Sequence, residues 1–377
     1  MKIREIRAAG LRGRTPKGGW SNELRPEDCV HTLVAVLTDE GLVGWGSAST
    51  SDSLIQAALS VLRPLYEGES AIEPERVSEK LHQHTFWLGR GGSLTHAISG
   101  IDIALWDLLG QATGQPVGRL LGGRYRDRVR AYASLLMTEP DEMADELLPV
   151  KEQGFRAFKI GWGPFGRRDA AVDEAIVRAA REAVGPDCAL MVDAGASDAF
   201  WPQDYKWALR TARMLADYNV TWFEEPLLPD RLQDYAVLRR AALVPIAGGE
   251  VLTRRQSFRP WLETGALDVV QPDVTKVGGI SEARRVGWMA DEYGARLIPH
   301  GWNTALGLAA DLQLASALPK TEFVEYLTGS PFIDELAMDG WKLENGGILK
   351  IPELPGLGIR IDLKALESFS GLKHFLD

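Results

Sequence analysis

Leu190-Met191-Val192-Asp193, Val220-Thr221-Trp222-Phe223-Glu224, Pro245-Ile246-Ala247-Gly248-Gly249-Glu250 and Asp268-Val269-Val270-Gln271-Pro272-Asp273 are four apolar runs of strand length, and each delivers a carboxylate at its downstream end. Acids gathered at strand ends repel one another unless a cation joins them. Three further runs carry other chemistry: Ala157-Phe158-Lys159 ends in a lysine, Arg296-Leu297-Ile298-Pro299 leads into His300, and Phe323-Val324-Glu325 adds another acid. The pattern predicts a metal site ringed by acid/base groups.

Around these runs the chain alternates strand-like and helix-like stretches from about residue 130 onward. Strands are expected at 130–136, 156–160, 189–193, 220–224, 244–247, 268–271, 296–299 and 322–326, with helices over 141–153, 168–184, 205–218, 232–242, 255–264, 280–293 and 305–317. Eight strands and seven helices predict a (β/α)7β barrel, in which active sites form at the C-terminal strand ends. Gly154, Gly185, Gly265 and Gly294 fall just past helical stretches, where a left-handed cap is wanted. The first 125 or so residues read as a separate domain: a hairpin across Thr38-Asp39-Glu40-Gly41, then helices over 53–62, 75–83 and 94–109. The tail from Leu343 is too short to stand alone and is expected to pack back on that domain.

A 377-residue chain that is 45% hydrophobic can bury a large core. Its net charge of -10 argues against nucleic-acid partners, which need a basic face. The charges interleaved in Met1-Lys2-Ile3-Arg4-Glu5-Ile6-Arg7 leave no signal peptide or membrane span. Cys29 and Cys188 are too few for a disulfide framework, so a reducing, cytoplasmic location is expected. Gly89-Arg90-Gly91-Gly92 lacks the preceding strand and Lys-Ser/Thr of a phosphate-binding loop and reads as a turn.

Lys159, Asp193, Trp222-Phe223-Glu224-Glu225-Pro226, Ala247-Gly248-Gly249-Glu250, Gln271-Pro272-Asp273-Val274-Thr275-Lys276-Val277-Gly278-Gly279, His300 and Glu325, in that order, resemble the mandelate racemase subgroup of the enolase superfamily. The likeness covers the whole length and includes Ser99-Gly100-Ile101-Asp102-Ile103-Ala104-Leu105-Trp106-Asp107-Leu108, Leu120-Leu121-Gly122-Gly123 and the closing Ile351-Pro352. It implies a modified TIM barrel over 129–342, an α+β capping domain over 1–128, and a C-terminal segment, 343–377, packed on the cap.

The resemblance implies Asp193, Glu224 and Glu250 as ligands of Mg2+, with Glu224 preferred to Glu225 because neighbouring strand residues face opposite ways. It implies His300 as the base oriented by Asp273, Lys159 as a cationic partner of the substrate carboxylate or a second base, and Glu325 as a protonated acid bonding that carboxylate. Lys276, Trp20 and Trp302 are candidate substrate contacts, with lids at 14–20 and 47–51. His31, His82, His84, His96 and His374 lack the strand-end position and are set aside as structural.

Such sites remove the proton beside a carboxylate through a metal-stabilised enediolate; the general pattern of a lysine or histidine base with magnesium is the established description of enolase-superfamily chemistry. This chain departs from the subgroup in two places. Lys159-Ile160-Gly161 replaces Lys-x-Lys, and Asp193-Ala194-Gly195 replaces Asp-x-Asn. With Gly161 read as a missing second base, dehydration of a sugar acid to a 2-keto-3-deoxy acid is expected over racemisation. An epimerase, racemase or cycloisomerase is the enzymatic alternative, and a silent metal- and ligand-binding barrel the other. A small-molecule carboxylate is the expected partner, with no nucleic acid and no membrane, and a homo-oligomer is expected.

Overall fold

The computed structural model describes residues 1–13, 28–197 and 200–377. Three antiparallel strands come first, β1 (Ile3–Leu11), β2 (His31–Thr38) and β3 (Val43–Ala48), in the order β1-β2-β3. β1 lies where sequence reading had seen only interleaved charges; those charges mark an edge strand, with Ile3 and Ile6 turned in and Glu5 and Arg7 outward. Helices α1 (Asp52–Tyr66), α2 (Pro74–Thr85), α3 (Ser93–Thr113) and the short α4 (Val117–Leu120) follow.

Period-two alternation gives this sheet two apolar faces. Ile6, Ala8, Val34 and Val36 pack with Ile101, Leu105 and Leu108 of α3, whereas Ala9, Leu11 and Leu33 join the barrel's core. α3 lies so close on β3 that a Cβ at Gly46 would run into the carbonyl of Gly100.

The barrel alternates β4 (Arg128–Leu136), α5 (Met143–Glu152), β5 (Ala157–Gly161), α6 (Ala170–Val184), β6 (Ala189–Asp193), α7 (Tyr205–Asp217), β7 (Phe223–Glu224), α8 (Leu232–Ala241), β8 (Ile246–Gly248), α9 (Arg254–Glu263), β9 (Val269–Val270), α10 (Gly279–Glu292), β10 (Arg296–Leu297), α11 (Ala305–Ser316) and β11 (Phe323–Leu327). Parallel pairing runs from β10 down to β4 and on to β11, and the seam between β10 and β11 is stitched by the Thr321 hydroxyl on the Leu297 carbonyl at 2.9 Å. Asp169 and Asp204 cap α6 and α7, each accepting two backbone N–H bonds of the first turn. Gly154, Gly185, Gly265 and Gly294 all have positive φ, as their places past the helices require.

One residue from each strand or its immediate flank closes the barrel's interior: Tyr132, Ala157, Met191, Trp222, Ala247, Val269, Ile298 and Phe323. This layer is the floor of what lies above it.

After α12 (Pro331–Asp334), the tail divides instead of packing wholly on the cap. β12 (Leu343–Glu344) and β13 (Ile348–Lys350) form a hairpin whose β13 pairs antiparallel with β4, below the point where β5 takes over that edge. The remainder crosses back: the Leu357 N–H donates to Asp107 at 2.8 Å, and Arg7 holds the Phe375 carbonyl at 2.8 Å beyond α13 (Leu363–Ser370). No described helix is long and apolar enough to cross a membrane.

Cap and barrel are joined through buried polar groups. Asp102 of α3 accepts the hydroxyls of Ser78 and Ser281 at 2.6 and 2.5 Å and the Ser281 N–H at 3.0 Å, linking α2, α3 and α10. Burial pushes its pKa up to about 7 against the pull of those bonds. The folded state therefore binds a proton that the unfolded chain has released, so this contribution is full below about pH 4 and is lost as pH rises through about 7, at about 1.4 kcal/mol per pH unit. Melting curves of Asp102→Asn and the parent chain should accordingly shift in the variant's favour between pH 5 and pH 8; a constant difference would show that Asp102 stays ionised throughout.

Candidate active site

Six of the eight floor residues have a polar successor two places on, pointing the same way and one layer higher. Ala157 is followed by Lys159, Met191 by Asp193, Trp222 by Glu224, Val269 by Gln271, Ile298 by His300 and Phe323 by Glu325. Period two thus turns six strand ends into one polar layer above an apolar base. Glu224 takes the inner position, while Glu225, past the end of β7, turns to Ser197, whose hydroxyl donates to it at 2.6 Å.

Lys159, 3% exposed, stands at the centre. Its ammonium lies 2.6 Å from Glu224, 2.9 Å from Glu325 and 3.5 Å from Asp193. Burial alone would lower its pKa, but Glu224 and Glu325 outweigh it and hold Lys159 charged well above the ordinary range. The other Glu224 oxygen accepts from Gln271 at 2.7 Å and from the Trp222 indole at 2.9 Å. Neither partner stood out in the sequence, although Gln271 lies two residues before Asp273 and so shares its strand face.

Ligand oxygens of Asp193, Glu224 and Glu250 lie within 4.8 Å of one another, an arrangement that could hold a metal ion. All three are buried. Burial and then Glu224 push Asp193 well above its usual range, and burial and then Glu250 push Glu225 up to about 8. Among the described residues the carboxyl groups of Asp193, Glu224, Glu225, Glu250, Asp273 and Glu325 outnumber the cations Lys159 and Lys276 that pair with them.

His300 follows β10 and is joined to Asp273 by a parallel bridge. Its Nδ1 donates to Asp273 at 2.8 Å, which leaves Nε2 facing the cavity, 3.1 Å from Glu250. Asp273 also accepts the N–H and hydroxyl of Thr275 at 2.7 and 2.5 Å. Burial works against ionisation of Asp273, but the His300 bond and Lys276 overcome it and hold the carboxyl well below its usual range. For His300, burial favours the neutral ring and Glu250 opposes it, for a net rise. Lys276 lies 3.6 Å from Glu250 and 3.8 Å from Asp273.

Two expected site positions have surroundings that the sequence did not show. Glu325 lies against cations that favour its ionised form. Burial favours protonation, but Lys159 and then His300 bring its pKa down to about 2, and it accepts the Gly301 N–H at 2.7 Å and the Tyr132 hydroxyl at 3.1 Å. Gly161 is also more than a missing lysine: it pairs with Asp193, and a Cβ there would lie 2.9 Å from the Asp193 Cβ. The absent side chain leaves space required by a neighbouring acid, and this strand position offers no second lysine. Lys159 and His300 both line the cavity, from strands separated by β4 and β11 on the shorter way round.

The cavity holds about 110 Å³ and is lined by His31, Ser49, Lys159, Trp162, Asp193, Glu250, Lys276, His300 and Trp302. Lys276 and Trp302, the candidate substrate contacts, both line this cavity. Trp20 and the 14–20 lid lie outside the described residues, while Ser49 of the second lid is on the wall. Trp162 was not anticipated; its φ of 63° is a left-handed conformation uncommon for a large side chain, and it turns the indole to the site.

A barrel with a buried carboxylate triad and a His–Asp pair at its C-terminal mouth, roofed by a small α/β cap, defines a class of carboxylate-handling enzyme. Residues 142–365 match the enolase C-terminal domain-like family and residues 27–122 the N-terminal domain of mandelate racemase / muconate lactonizing enzyme. The chain belongs to the mandelate racemase/muconate lactonizing enzyme group of the enolase superfamily. It is 34% identical to D-galactarolactone cycloisomerase of Agrobacterium fabrum over 98% of this chain and 99% of that one. It is 33% identical to D-xylonate dehydratase of Haloferax volcanii, over 89% and 84%. The solved structure of 3,6-anhydro-D-galactonate cycloisomerase from Zobellia galactanivorans superposes with a TM-score of 0.87 at 30% identity, covering 98% of this chain and 99% of that one.

Gly161→Ala should destabilise the fold by about 1–3 kcal/mol, as overpacking does, with the loss read from denaturant midpoints. An unchanged midpoint would mean that Asp193 yields freely and that Gly161 is not a space requirement.

Proposed function

We propose that this chain removes the proton α to the carboxylate of a sugar acid and expels the oxygen substituent on the next carbon, giving a 2-keto-3-deoxy acid by dehydration. The observation that carries this reading is His300, fixed through Nδ1 by Asp273 so that Nε2 faces the cavity beside the three-carboxylate cluster. A barrel that only bound a ligand would have no use for that pairing.

Asp193, Glu224 and Glu250 are the proposed metal ligands, and three hard oxygen donors in a pocket whose carboxyl groups outnumber its lysines fit Mg2+. When bound, the cation supplies positive charge where the substrate carboxylate gains negative charge as the α-proton leaves. His300 takes that proton at Nε2, while Asp273 holds the ring's tautomer and stabilises the imidazolium. The imidazolium then has a proton to return to the departing oxygen. Lys159 presents a fixed ammonium to the substrate carboxylate, and Glu325 keeps that ammonium in place. Lys276 lies behind the His–Asp pair, and Trp302 and Trp162 are walls that exclude water. Residues 1–128 and the returning part of 343–377 act as the cap of the 129–342 barrel. With both cysteines free, this chemistry belongs to the cytoplasm.

A second reading changes only the leaving group. The relatives matched along the whole chain include two cycloisomerases, and in a 3,6-anhydro sugar acid the ring oxygen on carbon 3 sits where the hydroxyl leaves in dehydration. The same proton transfer would then open a ring.

Incubating the enzyme and Mg2+ with a panel of aldonic, aldaric and anhydro sugar acids in heavy water separates these readings: 2-keto acid from open-chain substrates marks dehydration, and product from anhydro or lactone substrates alone marks cycloisomerisation. No product and no deuterium incorporation across the panel would overturn both. His300→Asn should slow α-proton exchange about 10²- to 10⁴-fold, the usual worth of a positioned base, and retained exchange would transfer that role to Lys159. Glu250→Gln should weaken Mg2+ binding about tenfold or more in calorimetry; unchanged affinity would remove it from the ligand set.

A further inference from the structure

His31 is the first residue of β2, in the antiparallel sheet of the cap, and is paired with Leu11 of β1. Alternation along β2 puts it in phase with Leu33, which packs into the barrel's core, and out of phase with Val34 and Val36, which face the cap helices. Its imidazole is accordingly delivered to the wall of the active-site cavity, in company with Lys276, His300 and Trp302. The side chain is 1% exposed, yet among the described residues neither Nδ1 nor Nε2 has a hydrogen-bond partner. Its ring contact is an edge-on approach to Phe332 at 6.2 Å.

Buried polar groups are paired in the great majority of cases, so an unpaired one aimed into a cavity asks what pairs it. Burial brings the His31 pKa down to about 4, so the ring is neutral and offers one donor and one acceptor. That combination matches an alcohol, which also donates once and accepts. A carboxylate would satisfy only the donor, and an ammonium only the acceptor.

We infer that His31 is a specificity-determining residue that hydrogen-bonds a hydroxyl of the substrate chain away from the reacting carboxylate. The inference rests on the proposed sugar-acid chemistry. It assigns to the cap a direct polar contact with substrate in addition to closure over the barrel.

The test measures binding by calorimetry, with Mg2+ present, of D-galactonate, D-xylonate, L-rhamnonate and D-galactarate, and of their hydroxyl-free counterparts pentanoate, hexanoate and adipate. For the sugar acid that the parent chain binds best, His31→Phe should weaken binding about tenfold, the scale of a neutral hydrogen bond, while leaving Mg2+ affinity and binding of the hydroxyl-free acid unchanged. His31→Gln, which keeps a donor and an acceptor, should recover most of the loss. An equal loss for both acids in His31→Phe, or no loss for either, would overturn the inference and leave the proposed function standing. Failure of the parent chain to bind any sugar acid, with His31→Phe still folded by its melting curve, would instead remove the proposed function and this inference with it.

Discussion

Lys159 with its carboxylates is the contact on which the rest of the site depends. An ammonium buried over an apolar floor is tolerable only because Glu224 and Glu325 lie within 3 Å of it, and those acids are tolerable only because Lys159 lies between them. Removing one partner of a buried pair typically costs about 3–5 kcal/mol, because the other charge is left without compensation. Even so, one lysine does not balance the acids around it. Asp193 and Glu225 are driven toward protonation by burial and by their neighbours, as expected where a further positive charge belongs. The fold has thus placed more acids together than its own lysines can satisfy.

Holding such a cluster in register requires a rigid frame, and the barrel provides it through alternation. The eight floor side chains fix the height of the layer above, so Lys159, Asp193, Glu224, His300 and Glu325 cannot slide independently. The roof is secured separately. Glu282 of α10 meets Arg254, Arg255 and Arg285, and Arg285 and Arg254 reach Glu75 and Glu79 of α2. Asp102 adds its bonds to Ser78 and Ser281 close by. Cap and barrel are therefore tied at a polar seam in addition to the apolar core that Ala9, Leu11 and Leu33 share with the barrel.

The barrel was legible in the sequence because its strands end in chemically conspicuous residues. Asp193, Glu224 and Glu250 announce themselves after apolar runs, and His300 does so after Ile298-Pro299. Lengths were less legible, since β7, β9 and β10 narrow to two paired residues where the chain turns early into the site loops. β1 was obscured because an edge strand alternates charge with apolar side chains. His31 was passed over because a histidine in a buried strand is ordinarily structural, and only its phase with Leu33 shows which core it faces. Gly161 was legible only as the place of a missing lysine, because the proximity of Asp193 that also requires a glycine there exists only in three dimensions.

The division between barrel and cap bears on why one such site can serve different leaving groups. On the proposed reading, proton removal needs only groups fixed to the barrel floor, since the carboxylate triad, Lys159 and the His300–Asp273 pair all belong to β5 through β11 and the loops just beyond them. Whether the oxygen that departs is a free hydroxyl or a ring atom changes nothing in their geometry, because both sit on the carbon next to the one that loses its proton. What distinguishes the substrates is the shape and polarity of the chain beyond that carbon. On the proposed reading that part meets Ser49 and His31 of the cap together with Trp162 and Trp302, all of which line the cavity. On that reading the reacting half of the site is bound to a rigid register, whereas the discriminating half is built from a strand end, a loop and two indoles.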